Sequence, residues 1–195
     1  MADAFTAGVE PGGLNTSQEI RILLCYMLGT VAQPIHRDAL TEIITGGGMA
    51  NYFDTEDAIE ELIRLQHLIE TEDRMIATTI TGNEIGQSLG VRVPYTLRQR
   101  SVEAALKLLK RRQVEKDNHV NIQKLEEGGY AVTCTVRDGV RDLLSVTLRV
   151  SDVWQAEQIK EQFYNDPALL YRSNLAVLTG DAGMRRAGTE LVIRL

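Results

Sequence analysis

A chain of 195 residues with 44% hydrophobic and 25% charged residues has the make-up of one large globular domain or two small ones, with core enough to need no covalent staple. Its longest apolar runs, such as Ile22–Leu28, fall far short of the ~20 residues of a membrane-spanning helix, and MADAFTAGVEPGG has neither the basic start nor the apolar stretch of a secretory signal, so a cytoplasmic protein without membrane contact is expected. The net charge of −6 is uneven: residues 1–91 hold 4 basic against 14 acidic side chains, residues 92–117 hold 8 against 3, and residues 119–195 hold 9 against 10.

The first predicted helix is TSQEIRILLCYMLGTV, with Ser17 as its cap and Ile20, Leu23, Leu24, Met27 and Leu28 as its buried stripe. QPIHRDALTEIITGGG predicts a second helix, entered at Pro34 and ended by three glycines. In NYFDTEDAIEELIRL, Asp54 with Asp57 three residues on predicts the start of a third helix, which buries Ile59, Leu62 and Ile63. HLIETEDRMIATTI predicts a hairpin with strands at Leu68–Thr71 and Met75–Ile80, and the spacing of Thr81 and Glu84 predicts a capped fourth helix. Three helices followed by a hairpin are the parts of a winged helix-turn-helix, in which helix three enters a groove of DNA and the hairpin touches the adjoining backbone.

The start FTAGVEPGGL, the NYF before helix three, the IT after the hairpin and VPYTLR leading into a long helix resemble the bacterial domain-of-unknown-function family 4364. The resemblance covers most of the chain, with its strongest motifs before Arg100. It implies a winged-helix amino-terminal half similar to PadR-like and MarR-like transcription factors and a regulatory role, and it brings no catalytic residue.

Beyond Arg92 the pattern is α+β. SVEAALKLLKRRQVEK forms a long helix with an apolar stripe of Val102, Ala105, Leu106 and Leu109; strands follow at His119–Leu125, in YAVTCTV and in LLSVTLRV. VWQAEQIKEQFY, through Trp154, Ile159 and Phe163, and PALLYRSNLAVL supply helices that cover the sheet. The expected organisation is an arm (1–15), a winged-helix domain (16–91) and an α+β domain (92–195) with a small antiparallel sheet. A sheet of three strands invites pairing with a second copy, so a homodimer built on this half is expected.

No chemistry-bearing constellation is present in the sequence. HRDAL lacks the downstream Asn of a kinase catalytic loop, and Gly46–Gly48 is followed by no Lys-Ser/Thr. His36, His67 and His119 are far apart and near no cysteine pair, Ser101 and Ser145 have no nucleophile-elbow surroundings, and Cys25 and Cys134 sit in apolar patterns as buried thiols. The expectation is a protein that is no enzyme and holds no cofactor or metal.

Helix three poses the functional question. With Ile59 toward the core, its opposite face carries Asp57, Glu60, Glu61 and Arg64, and the hairpin tip adds Glu70, Glu72 and Asp73 against Arg74. DNA affinity comes largely from Lys and Arg at phosphates, and both elements are acidic. Three readings follow. A dimeric regulator would bind double-stranded DNA through Asn51, Tyr52, Thr55, Arg64, Arg74, Arg92, Arg98 and Arg100. An interaction module would use Asp57, Glu60 and Glu61 to dock a basic protein surface. The third reading is a solvated acidic face.

Overall fold

The computed structural model describes residues 9–14, 16–180, 185–187 and 190–192 of the chain. The first eight residues of the expected amino-terminal arm lie outside the described residues. The architecture is mixed α+β, as expected, in two compact units, Met1–Leu109 and Lys110–Leu195.

In the first unit α1 spans Ser17–Val31, and the expected stripe of Ile20, Leu23, Leu24, Met27 and Leu28 is buried. Its cap is Thr16 instead of Ser17: the Thr16 hydroxyl accepts from the Glu19 N–H, which puts Ser17 inside the first turn. Pro34 does not open a helix. It precedes a two-residue strand, β1 (Ile35–His36), and α2 (Arg37–Gly46) begins only after His36, whose Nδ1 accepts from the Asp38 N–H. Gly46 ends the helix, and Gly48 makes the turn at a φ of +60° that other residues adopt at a cost.

Helix α3 (Tyr52–Arg64) is capped by Asn51, not by Asp54: the Asn51 carbonyl oxygen Oδ1 accepts from the Asp54 N–H at 2.9 Å. The hairpin strands β2 (Leu68–Glu70) and β3 (Met75–Thr78) follow, and β1 pairs with β3, which gives an antiparallel sheet in the order β1-β3-β2. Thr79 caps α4 (Ile80–Leu89) by accepting from the Gly82 N–H, so Thr81, the expected cap, lies inside the helix and Ile80 turns out to solvent. Gly86 explains how close α4 comes to α1: a Cβ there would stand 2.7 Å from the Cys25 carbonyl carbon and the Tyr26 nitrogen.

A single-turn 3₁₀ segment (Gly90–Arg92) leads to α5, Tyr95–Asp117. Its buried residues are Leu97, Ser101 and Ala105, spaced four apart, with Val102 and Leu109 partly buried. Leu106, expected on the apolar stripe, is half exposed because it lies off the row that those residues define.

In the second unit β4 (His119–Lys124), β5 (Tyr130–Asp138) and β6 (Arg141–Val150) form an antiparallel sheet in the order β4-β5-β6. The pairs Val132 with Leu148, Cys134 with Val146 and Val136 with Leu144 place the alternating apolar residues on one face, while Thr133–Thr147 and Thr135–Ser145 hydroxyl pairs mark the other. Helices α6 (Val153–Asn165) and α7 (Pro167–Thr179) accompany the sheet, and Ala156, Phe163 and Tyr164 join the core with Val132, Cys134 and Val136. Trp154 does not cover the sheet as expected. It is 68% exposed, because it stands in the first turn of α6, two residues before the inward-facing Ala156. A further pair, β7 (Arg185–Ala187) and β8 (Glu190–Val192), falls where no strand was expected.

Candidate interaction face on helix α3

The inner side of α3 is Thr55, Ala58, Ile59 and Leu62, packed in the core of the first unit. Its opening turn is held by local polar bonds. Besides the cap, Asn51 Nδ2 donates to Asp54 at 2.6 Å, and the Thr55 hydroxyl donates to the Asn51 carbonyl at 2.7 Å. Asn51 and Thr55 are both buried. The sequence predicts that they face DNA; their polar groups instead organise the start of the helix, and neither side chain is a surface contact.

Two aromatic side chains stand on the outside of the same turn. Tyr52 is 57% and Phe53 71% exposed, with their rings edge to face at 5.6 Å. This pair is the most apolar part of an otherwise charged helix surface, and of the two only Tyr52 was singled out from sequence.

The carboxylates further along are mostly neutralised within the unit. Arg37, the first residue of α2, has a side chain only 11% exposed, and its guanidinium reaches three elements. Nε donates to Glu56 at 2.8 Å, NH2 to Glu60 at 3.1 Å, both on α3, and NH1 donates to Glu70 of β2 at 3.2 Å. The Thr41 hydroxyl donates to the second oxygen of Glu56. Burial works against the charge on Arg37, and the hydrogen bond and field of Glu56, with Glu60 and Glu70, outweigh it, so the group titrates above its ordinary value and stays cationic. Glu61 accepts both ends of Arg64, at 2.9 and 2.7 Å, and lies 3.7 Å from Arg21. The Arg64 hydrogen bond holds the Glu61 carboxyl below its ordinary value. Asp57 is exposed and has no ion partner among the described residues.

Of the five cations expected at DNA, all but Arg92 are engaged within the unit. Arg64 is bound to Glu61; Arg74 lies 3.2 Å from Asp38 and 3.8 Å from Glu70. Arg98 donates to the Val93 carbonyl and stacks on Tyr26 and Tyr95, with its guanidinium 5.2 and 5.7 Å from the ring centres. Arg100 donates to the Gly47 carbonyl and to Glu10, tying the start of the chain and the α2–α3 loop to α5. Arg92 is exposed and makes no ion pair among the described residues.

The model of the family described as Domain of unknown function (DUF4364) matches residues 20–178. The chain belongs to the DUF4364 family. The match runs from the first turn of α1 to the last turn of α7. No curated protein and no solved structure matches the chain. No helix among the described residues of this DUF4364 chain is long and apolar enough to cross a membrane, and none of their His, Cys, Asp and Glu side chains gather in threes around a point that could hold a metal ion.

The Arg37 cluster and Phe53 were missed from sequence. The four-residue spacing of Glu56 and Glu60 puts both on one helix face, and Arg37 is one of only four basic residues before Arg92. Those two facts together were the available signal.

Proposed function

We propose that the first unit of this protein is a winged-helix module that docks a protein instead of DNA, and that the molecule is no enzyme. Support for the winged-helix reading is the element order: α1, β1, α2, α3 and then the β2–β3 hairpin, with β1 closing a three-stranded sheet. The observation that carries the docking reading is the contrast on the outer side of α3. Its one cation, Arg64, is paired with Glu61, and the neighbouring Arg37 of α2 is held by three carboxylates, while Tyr52, Phe53 and Asp57 remain available. A DNA-reading helix needs the reverse, free Lys and Arg to neutralise phosphates before any base contact can be held in register. Exposed aromatics beside a carboxylate suit a basic protein surface that carries an apolar side chain between the charges, since buried aromatics dominate the energetics of such contacts.

Placing a photo-cross-linking amino acid at Phe53 in living cells tests this reading. Adducts to protein, lost when Tyr52 and Asp57 are both replaced by Ala, are expected; adducts to DNA would overturn it. A second reading, a DNA-binding regulator, draws support from Arg64, Arg74 and Arg92, which are at least half exposed or face solvent. It requires Arg64 and Arg74 to leave their carboxylates when DNA arrives.

A further inference from the structure

No strand among the described residues pairs with the outer edge of β6, and that edge and the groove beside it share one explanation, independent of what α3 docks. The β4-β5-β6 sheet has two edges. The β4 edge is short and turns His119, Asn121, Gln123 and Lys124 to solvent, the polar dress of an edge that stays unpaired. The β6 edge differs. Leu144 faces Val136 and Asp142 faces Arg137, so Leu143 is an extra, bulged residue and Leu144–Val150 is the regular stretch. Within that stretch there is no proline and the only charge is Arg149. Leu148 lies on the face that carries the core, opposite the fully buried Val132, and is nevertheless 47% exposed. Beside it Val146, Leu148, Ile159, Phe163 and Leu169 line an open groove of about 450 Å³.

We propose that a second copy of this chain covers both, with β6 pairing antiparallel to its counterpart about a two-fold axis through Thr147. The pattern and the length of the stretch together favour one register. With the axis at Thr147, all seven regular residues are used: Leu144 opposes the partner's Val150, Val146 opposes the partner's Leu148, and Ser145 opposes the partner's Arg149. Apolar residues meet apolar ones on one face and polar meet polar on the other, with no like charges opposed. An axis at Arg149 would set two guanidinium groups against each other, and an axis at Ser145 or Val146 would carry the pairing into the bulge at Leu143. A two-fold axis perpendicular to the sheet keeps the α6 and α7 helices of both copies on one face. Leu148 is then covered by the partner's Val146, and the groove of each copy meets that of the other across the axis. The product is one sheet of six strands with no long apolar edge, closed by symmetry.

The test is a cross-link. Residues directly opposed in an antiparallel pair have Cα atoms about 4.5–5.5 Å apart, within the span of a disulfide. The Thr147→Cys protein should therefore sediment as a dimer at about 10 μM and become covalently dimeric on mild oxidation. Asn121→Cys, on the β4 edge, should not cross-link, and the native Cys25 and Cys134 are buried. Val146→Lys with Leu148→Lys should give a monomer with unchanged far-ultraviolet dichroism. A monomeric wild type at that concentration overturns the proposal. So does a dimer in which Thr147→Cys fails to cross-link or Asn121→Cys does so instead, because the interface would then lie elsewhere.

Discussion

Replacing Arg37 by Met isolates the ion cluster that joins α2, α3 and the hairpin. Met keeps most of the aliphatic stem and removes the guanidinium, leaving Glu56, at 21% side-chain exposure, without a cation and Glu70, at 23%, with only Arg74 at 3.8 Å. Breaking a fully buried pair by deleting one partner costs about 3–5 kcal/mol, and a surface pair is worth about 0–1 kcal/mol. These carboxylates sit between the limits, and the contact to the 71%-exposed Glu60 adds little, so a loss of about 2–3 kcal/mol is expected. At a urea slope of about 2 kcal/mol per M, the midpoint should fall by about 1–1.5 M, followed by far-ultraviolet dichroism. Trp154, the only tryptophan, belongs to the second unit and its fluorescence reports separately whether that unit is disturbed. Adding Glu56→Gln to Arg37→Met should recover about 1 kcal/mol, because the stranded charge disappears. A loss below about 0.5 kcal/mol, or strict additivity of the two changes, would show that the cluster is solvated and does not hold α3 against the hairpin.

Other outcomes follow from particular contacts. Gly86→Ala should destabilise the first unit by about 1–3 kcal/mol in the same urea titration, since its Cβ must push against α1 backbone, which cannot rotate away. Burial pushes the Cys25 thiol up to about 11. The folded state thus keeps a proton that the unfolded chain releases first, and stability present below about pH 9 should decline by on the order of 2–3 kcal/mol as pH rises toward 11; Cys25→Ala should lose that slope. Ala32 ends α1 in the left-handed region at a φ of +52°, where glycine is unstrained, so Ala32→Gly should raise the thermal midpoint, by about 0.5–1 kcal/mol in stability.

Much of this fold was legible where burial imposes a period. The α1 stripe and the alternation of Val132, Cys134 and Val136 opposite Leu144 and Val146 are written in the residues, because one face of each element must be apolar. Helix starts were not. Thr16 and Ser17, Asn51 and Asp54, Thr79 and Thr81 each offer two competent caps within three residues, and the direction from which the chain enters the helix chooses between them. The candidate face was half legible: its acidity could be counted, whereas its neutralisation by Arg37 joins residues 19, 23 and 33 positions apart, which local pattern cannot connect. The burial of Asn51 and Thr55 followed from the same cap that was assigned one turn late.

The most direct measurement on the docking reading is fluorescence anisotropy of a random DNA duplex across a salt series, with the 195-residue chain. An α3 surface whose cations are already paired should show no saturable binding near physiological ionic strength and only a shallow salt dependence below it. Micromolar binding that weakens steeply with salt, and that is abolished when Arg64, Arg74 and Arg92 are replaced by Gln, would contradict a protein-docking face and restore DNA as the partner.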